Sequence, residues 1–149
     1  MRKRKAVLLG GVLAVTGIVA AVALAKSSMA PMSFKANLDT RQEVPKEKGA
    51  SVRAGGKFTA TLVGTKMTWK LTFKHLTGPA TAAHIHTGAK GVAGSVIVPL
   101  CGPCKSPQSG TANVSAAIAK RIENGSTYVN VHTAKNPGGE IRGQVKASM

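Results

Sequence analysis

The sequence predicts an all-β fold, an antiparallel sandwich or small barrel with one short helix. Three observations lead there. Apolar residues recur at every second position in several short segments, the period of a strand with one buried face. Turn residues separate these segments at intervals of about 8–12, the spacing of small β-sandwiches. A helical signal occurs in one segment, Ser115 to Asn124.

Met1 to Ala30 stands apart from this pattern. Arg2-Lys3-Arg4-Lys5 is basic, Ala6 to Ala25 is uncharged and apolar, and Ala23-Leu24-Ala25 and Ser28-Met29-Ala30 offer small-residue cleavage sites. The apolar run is long for a signal peptide and just long enough to span a bilayer. Residues 1–30 are therefore a signal peptide or an N-terminal membrane anchor. In both cases the basic residues stay cytoplasmic and the rest is exported. The product is secreted or periplasmic, or tethered to the outer side of the cytoplasmic membrane. Residues 31–149 are enough for one domain with one core.

Phe34, Ala36 and Leu38 alternate with Lys35, Asn37 and Asp39 in a first strand, which Gln42-Glu43-Val44-Pro45 ends because proline cannot continue a central ladder. Lys46 to Arg53 is a polar loop. Phe58, Ala60 and Leu62 mark the inner face of a second strand. The third alternates most cleanly, with Met67, Trp69, Leu71 and Phe73 inward and Thr68, Lys70, Thr72 and Lys74 outward. Leu76-Thr77-Gly78-Pro79 turns the chain into a strand through Ala83-His84-Ile85-His86, and an apolar run from Val96 to Leu100 follows. In the helix, Ser115 is placed to cap the start and Gly125 to stop the end. Strands Thr127–His132 and Glu140–Val145 flank the turn Asn136-Pro137-Gly138-Gly139.

Net charge is +16, from 21 basic and 5 acidic residues. Four of the basic residues lie in the export segment, which leaves 17 against 5 beyond it, a charge still near +12. A nucleic-acid binder would cluster that charge and interleave aromatics for stacking. Here the lysines are spread and aromatics are 3% of residues, so nucleic acid is not the expected partner. Solvated strand faces account for most of the surplus, and an anionic envelope surface is a partner it suits.

The chemistry-bearing residues are histidines. With Ile85 inward, His84 and His86 share the opposite face of their strand, since successive side chains alternate. His132 has the same relation to Val129 and Val131. Three imidazoles of matching parity suit a copper or zinc ion with an open position. The alternative is that they hydrogen-bond loops and carry no ion. His75 continues the apolar parity of the third strand and is read as a structural histidine. Cys101-Gly102-Pro103-Cys104 has the spacing of a redox motif, but a proline-containing loop follows it where a helix would be needed. In an exported protein a structural disulfide between Cys101 and Cys104 is expected.

Several phrases resemble the CHRD domain, the module named after chordin and found alone in many exported bacterial proteins. They are Gln42-Glu43-Val44-Pro45, Leu76-Thr77-Gly78-Pro79, Ala83-His84-Ile85-His86, Gly125 to Thr133, and Pro137 to Gln144. The resemblance implies an immunoglobulin-like β-sandwich over residues 31–149 and a loosely defined binding function. Chordin itself is a secreted binder of growth factors. Glu43 and Glu140 lie in these phrases and would either orient a ligand imidazole from behind or pair with Arg41 or Arg142. A weaker similarity runs to copper-zinc superoxide dismutases, whose copper site also uses a His-x-His strand and a later Val-His phrase on the outside of a β-barrel. That enzyme's bridging histidine and zinc aspartate have no counterpart, since Asp39 is the sole aspartate and no histidine lies between His86 and His132.

The leading expectation is an exported CHRD-domain binding protein with a mononuclear copper or zinc site on His84, His86 and His132. A metal-free module that binds an extracytoplasmic protein is the alternative, and a copper redox enzyme the third. No motif names a substrate, so binding is expected rather than catalysis.

Overall fold

Alternation in the sequence becomes alternation in burial. β1 (Met32–Asp39) buries Phe34, Ala36 and Leu38; β2 (Gly55–Val63) buries Phe58, Ala60 and Leu62; β3 (Lys66–Lys74) buries Met67, Trp69 and Leu71. Each of the larger aliphatic and phenyl side chains contributes about 1.5–3 kcal/mol by leaving water, so a strand with inverted faces would forfeit the core. Between β1 and β2, Asp39 caps a 3-10 turn (Thr40–Gln42) by accepting from the backbone amides of Arg41 and Gln42. The computed structural model describes residues 29–47 and 49–148. Met1 to Ala30, read from the sequence as a signal peptide or membrane anchor, lies outside the described residues except for Met29 and Ala30. Among the described residues no helix is long and apolar enough to cross a membrane.

β4 (Ala80–Thr87), β5 (Val96–Cys101), β6 (Gln108–Asn113), α1 (Ala116–Glu123), β7 (Thr127–Thr133), β8 (Ile141–Gln144) and β9 (Lys146–Ala147) complete the chain. The strands pair antiparallel in the order β5-β4-β7-β8-β1-β2-β3-β6, with β9 added beside β1. The two ends of that order, β5 and β6, approach each other, so the sheet closes nearly into a barrel. The all-β expectation with one short helix therefore stands. Ser115 accepts from the Ile118 amide at 3.2 Å to start α1, and Gly125 ends it at a φ of +69°.

Two local expectations are corrected. The sequence reading gives a loop after the cysteines, whereas Gln108–Asn113 is a strand paired to β3. It has no apolar alternation because its work is backbone pairing. Gly110 lies opposite Trp69, where a Cβ would stand 2.6 Å from the indole ring. His75 follows the end of β3 at Lys74, adopts φ +58° and is exposed, so strand parity no longer governs it.

Cys101 and Cys104 are joined by a disulfide, with Cα atoms 5.3 Å apart. The Cys104 amide also donates to the Ala80 carbonyl, so the bridge fastens the end of β5 to the start of β4. The outer face of β7 is covered, and the outward residues of β4 and β8 beside it are buried or half-buried. Every residue of β7 is buried, because the loops around Glu43, Ala89–Gly94 and Asn136–Glu140 fold over that face.

Candidate metal centre

On the inner side of β4 and β7, Ala83, Ile85, Val129 and Val131 are fully buried. That fixes the other parity outward. The register then sets the outer residues in rows: Ala82 opposite His132, His84 opposite Asn130, and His86 opposite Tyr128. β8 adds Arg142 opposite Asn130 and Gln144 opposite Tyr128.

The three outward histidines converge. One nitrogen from each of His84, His86 and His132 lies within 4.8 Å of the others. His84 Nδ1 is 3.1 Å from His132 Nε2. Two nitrogens sharing a tetrahedral ion, each about 2.0–2.1 Å from it, would stand roughly 3.3 Å apart, so this spacing suits a common ion.

Backbone carbonyls orient the rings. His86 Nδ1 donates to the Gly94 carbonyl at 2.9 Å, and His132 Nδ1 donates to the Pro137 carbonyl at 3.0 Å. A carbonyl only accepts, so these two rings keep lone pairs on Nε2. The His84 Nδ1 proton then faces the His132 Nε2 lone pair, and ligation through His84 Nδ1 requires that proton to move to its outer nitrogen. His86 Nε2 is buried without a hydrogen-bond partner. An orphaned acceptor of this kind, beside two further imidazoles, fits a transition metal.

All three imidazoles are held below the ordinary histidine pKa. Burial is the main cause in each; His84 also feels its two neighbours, while carbonyl bonds partly oppose the shift at His86 and His132. Neutral imidazole is the ligating form. His86 stacks on Tyr128 with ring centroids 4.9 Å apart, and the Arg142 guanidinium carbon sits 3.4 Å from the Tyr128 centroid. β4 and β8 flank β7, so Tyr128 is held between a histidine and an arginine.

The carboxylates do not take the place foreseen for them. Glu140 accepts from the Thr77 amide and hydroxyl and the Thr133 hydroxyl, each at 2.7 Å, and from Asn136 at 3.0 Å. Burial raises its pKa, but these donors together outweigh it and hold the group below the usual range. Glu140 thus fixes the turn whose Pro137 carbonyl orients His132, without touching a ring itself. Glu43 accepts from Asn130 at 3.0 Å, and burial pushes it up to about 7 against the pull of Asn130 and Arg142. Among the described residues neither carboxylate hydrogen-bonds an imidazole or forms an ion pair with Arg41 or Arg142. Arg41 instead lies 3.7 Å from Asp39.

Tyr128, Asn130 and the Gly94 carbonyl are parts of the site absent from the sequence reading, and Arg142 enters that reading only as an ion-pair partner for a carboxylate. The signal for three of them was present, because Tyr128 and Asn130 share His132's parity and Arg142 has outward parity in β8. Gly94 offers none, since a backbone carbonyl can belong to any residue.

Fold and site together define a β-barrel protein that carries a histidine cluster on the covered outer face of its sheet. Residues 34–145 match the family model of the CHRD domain, and the chain belongs to that family. Comparisons with curated proteins and with solved structures give no match.

Proposed function

We propose that the chain is an exported CHRD-domain binding protein that holds one copper or zinc ion through His84 Nδ1, His86 Nε2 and His132 Nε2. The carrying observation is the convergence of three imidazole nitrogens within 4.8 Å, one of them buried and unpartnered. Three protein nitrogens leave a position open to water or to a donor from a partner. A bound ion would supply Lewis acidity there, or a one-electron couple if it is copper. The chain's own part is to hold two rings by carbonyls, keep all three neutral, and stack His86 on Tyr128. Family membership and the Met1–Ala30 segment support a place outside the cytoplasm. An extracytoplasmic protein is then the partner class.

Copper and zinc titrated into the protein and into four single His→Ala variants test this. His84→Ala, His86→Ala and His132→Ala should each weaken binding at least tenfold, while exposed His75→Ala leaves it unchanged. Affinity no tighter than about 10 μM in the unaltered protein, weak on the free-energy scale, removes the metal and leaves the protein-binding module. Superoxide turnover by the copper-loaded protein would move the reading to a redox enzyme.

A further inference from the structure

Two cavities of about 240 and 400 Å³ adjoin, sharing Gln42, Lys90 and Gln144 in their walls. Their lining is cationic. Lys46 and Arg142 line the smaller one, Lys35 and Lys146 the larger, and Lys90 both. Arg41, which also lines the smaller cavity, is the one lining cation with an ion-pair partner among the described residues. The carboxylate on this lining is Glu43, buried and already accepting from Asn130.

This groove is built rather than scattered. Arg142 is 2% exposed, a charge buried without a carboxylate bonded to it. Its Nη2 donates to the carbonyls of Ala89 and Val92, at 3.0 and 2.8 Å, and so fastens the chain on both sides of Lys90. Gln144 Nε2 holds the neighbouring carbonyls of Gly88 and Gly125. Arg142 Nη1 and Gln144 Oε1 remain buried and unpartnered. With Arg142 Nη2 engaged and its Nη1 buried, and with Arg41 beside Asp39, the donors left exposed to a ligand are lysine ammoniums, compact and mobile point charges. Those suit a multiply charged, tetrahedral group better than a planar carboxylate, which prefers the fork.

We infer that the groove between the Gln42–Lys46 loop, β8 and the Lys90 loop is a binding site for phosphate groups, independent of any metal. The phosphate could be a free ion, a soluble ester or a lipid headgroup, since the groove reads the shared group. The test uses the full chain at about 0.15 M salt, where screening acts beyond about 8 Å. Inorganic phosphate and glycerol phosphate are titrated calorimetrically, and retention is compared on phosphatidylglycerol-containing and pure phosphatidylcholine vesicles. The double variant Lys46→Gln/Lys90→Gln should weaken binding at least tenfold. Lys66→Gln/Lys120→Gln removes the same charge elsewhere and should change it less than twofold. Saturation by the soluble probes alone assigns a free phosphate or ester. Added retention on phosphatidylglycerol that the first double variant loses assigns a headgroup. Equal losses in both double variants, or no saturable binding of any probe below about 10 mM, overturn the inference.

Discussion

His84 Nδ1 and His132 Nε2 lie 3.1 Å apart although 48 residues separate them in the chain. The contact arises from strand register. Pairing β4 with β7 sets Ala82 opposite His132 and His84 opposite Asn130, so the two histidines are diagonal neighbours on one face. A slip of one residue would turn either ring into the core.

That geometry gives a pH dependence. Burial holds all three imidazoles below the ordinary value of 6.5, so the folded protein takes up their protons at lower pH than the unfolded chain does. The stability they add is present above about 6.5 and is lost as pH falls through the folded values. Ion binding, which needs neutral rings, should persist below pH 6.5 and fail only as those lower values are crossed. Zinc affinity measured from pH 7.5 to 5 checks this. A midpoint at or above 6.5 would contradict buried imidazoles.

Glu43 has the opposite sign. Its carboxyl titrates near 7 in the fold against 4.5 ordinarily, so the folded state holds the extra proton and stability falls as pH rises between those values. The shift corresponds to roughly 3 kcal/mol at about 1.4 kcal/mol per pH unit. Glu43→Gln keeps an acceptor for Asn130 and cannot ionise. It should be about 1–3 kcal/mol more stable than the parent at pH 8 and equal to it near pH 4, by urea unfolding at both. Destabilisation at pH 8 would mean that attraction to Arg142 outweighs the cost of burying the charge.

The inward faces were legible in the sequence because each alternates without interruption: Phe34 to Leu38, Phe58 to Leu62, Met67 to Leu71, Val129 to Val131. The same parity placed His84, His86 and His132 together on the outer face. What covers that face was not legible. Glu43 reaches Asn130 across 87 residues, and Arg142 grips carbonyls of a glycine-rich loop that has no periodic pattern. Strand period tells inner from outer; it does not tell an outer face in water from one under loops. β6 was illegible for a related reason, since Gln108–Asn113 is ordered by pairing with β3 and has few apolar side chains to announce it.

Trp69 tests the core. It is 6% exposed and packs against Gly110 of the neighbouring strand. Trp69→Ala should cost about 3–5 kcal/mol, the range for a large buried aromatic. Gly110→Ala drives a methyl into the indole and should cost about 1–3 kcal/mol by overpacking. The two effects should not add, because removing the ring makes room for the methyl. Strict additivity in denaturant unfolding would mean that the residues do not share a contact.

The disulfide should matter to the loop and little to the histidines. Joining residues only three apart constrains the unfolded chain slightly, by about 2 kcal/mol in the loop-entropy account. Cys101 pairs with Ala83, an inward residue of β4, while the ring-orienting carbonyls belong to Gly94 and Pro137 on other loops. Mass spectrometry of protein purified without reductant should therefore find Cys101 and Cys104 joined. Reduction should lower stability by about 2 kcal/mol or less and leave zinc affinity within a factor of two. Zinc is the ion to use, because a reductant changes the valence of copper and would confuse loss of the bridge with loss of the metal's preferred geometry. Release of zinc on mild reduction would instead show that the Cys101–Cys104 loop sets the position of His84 through β4.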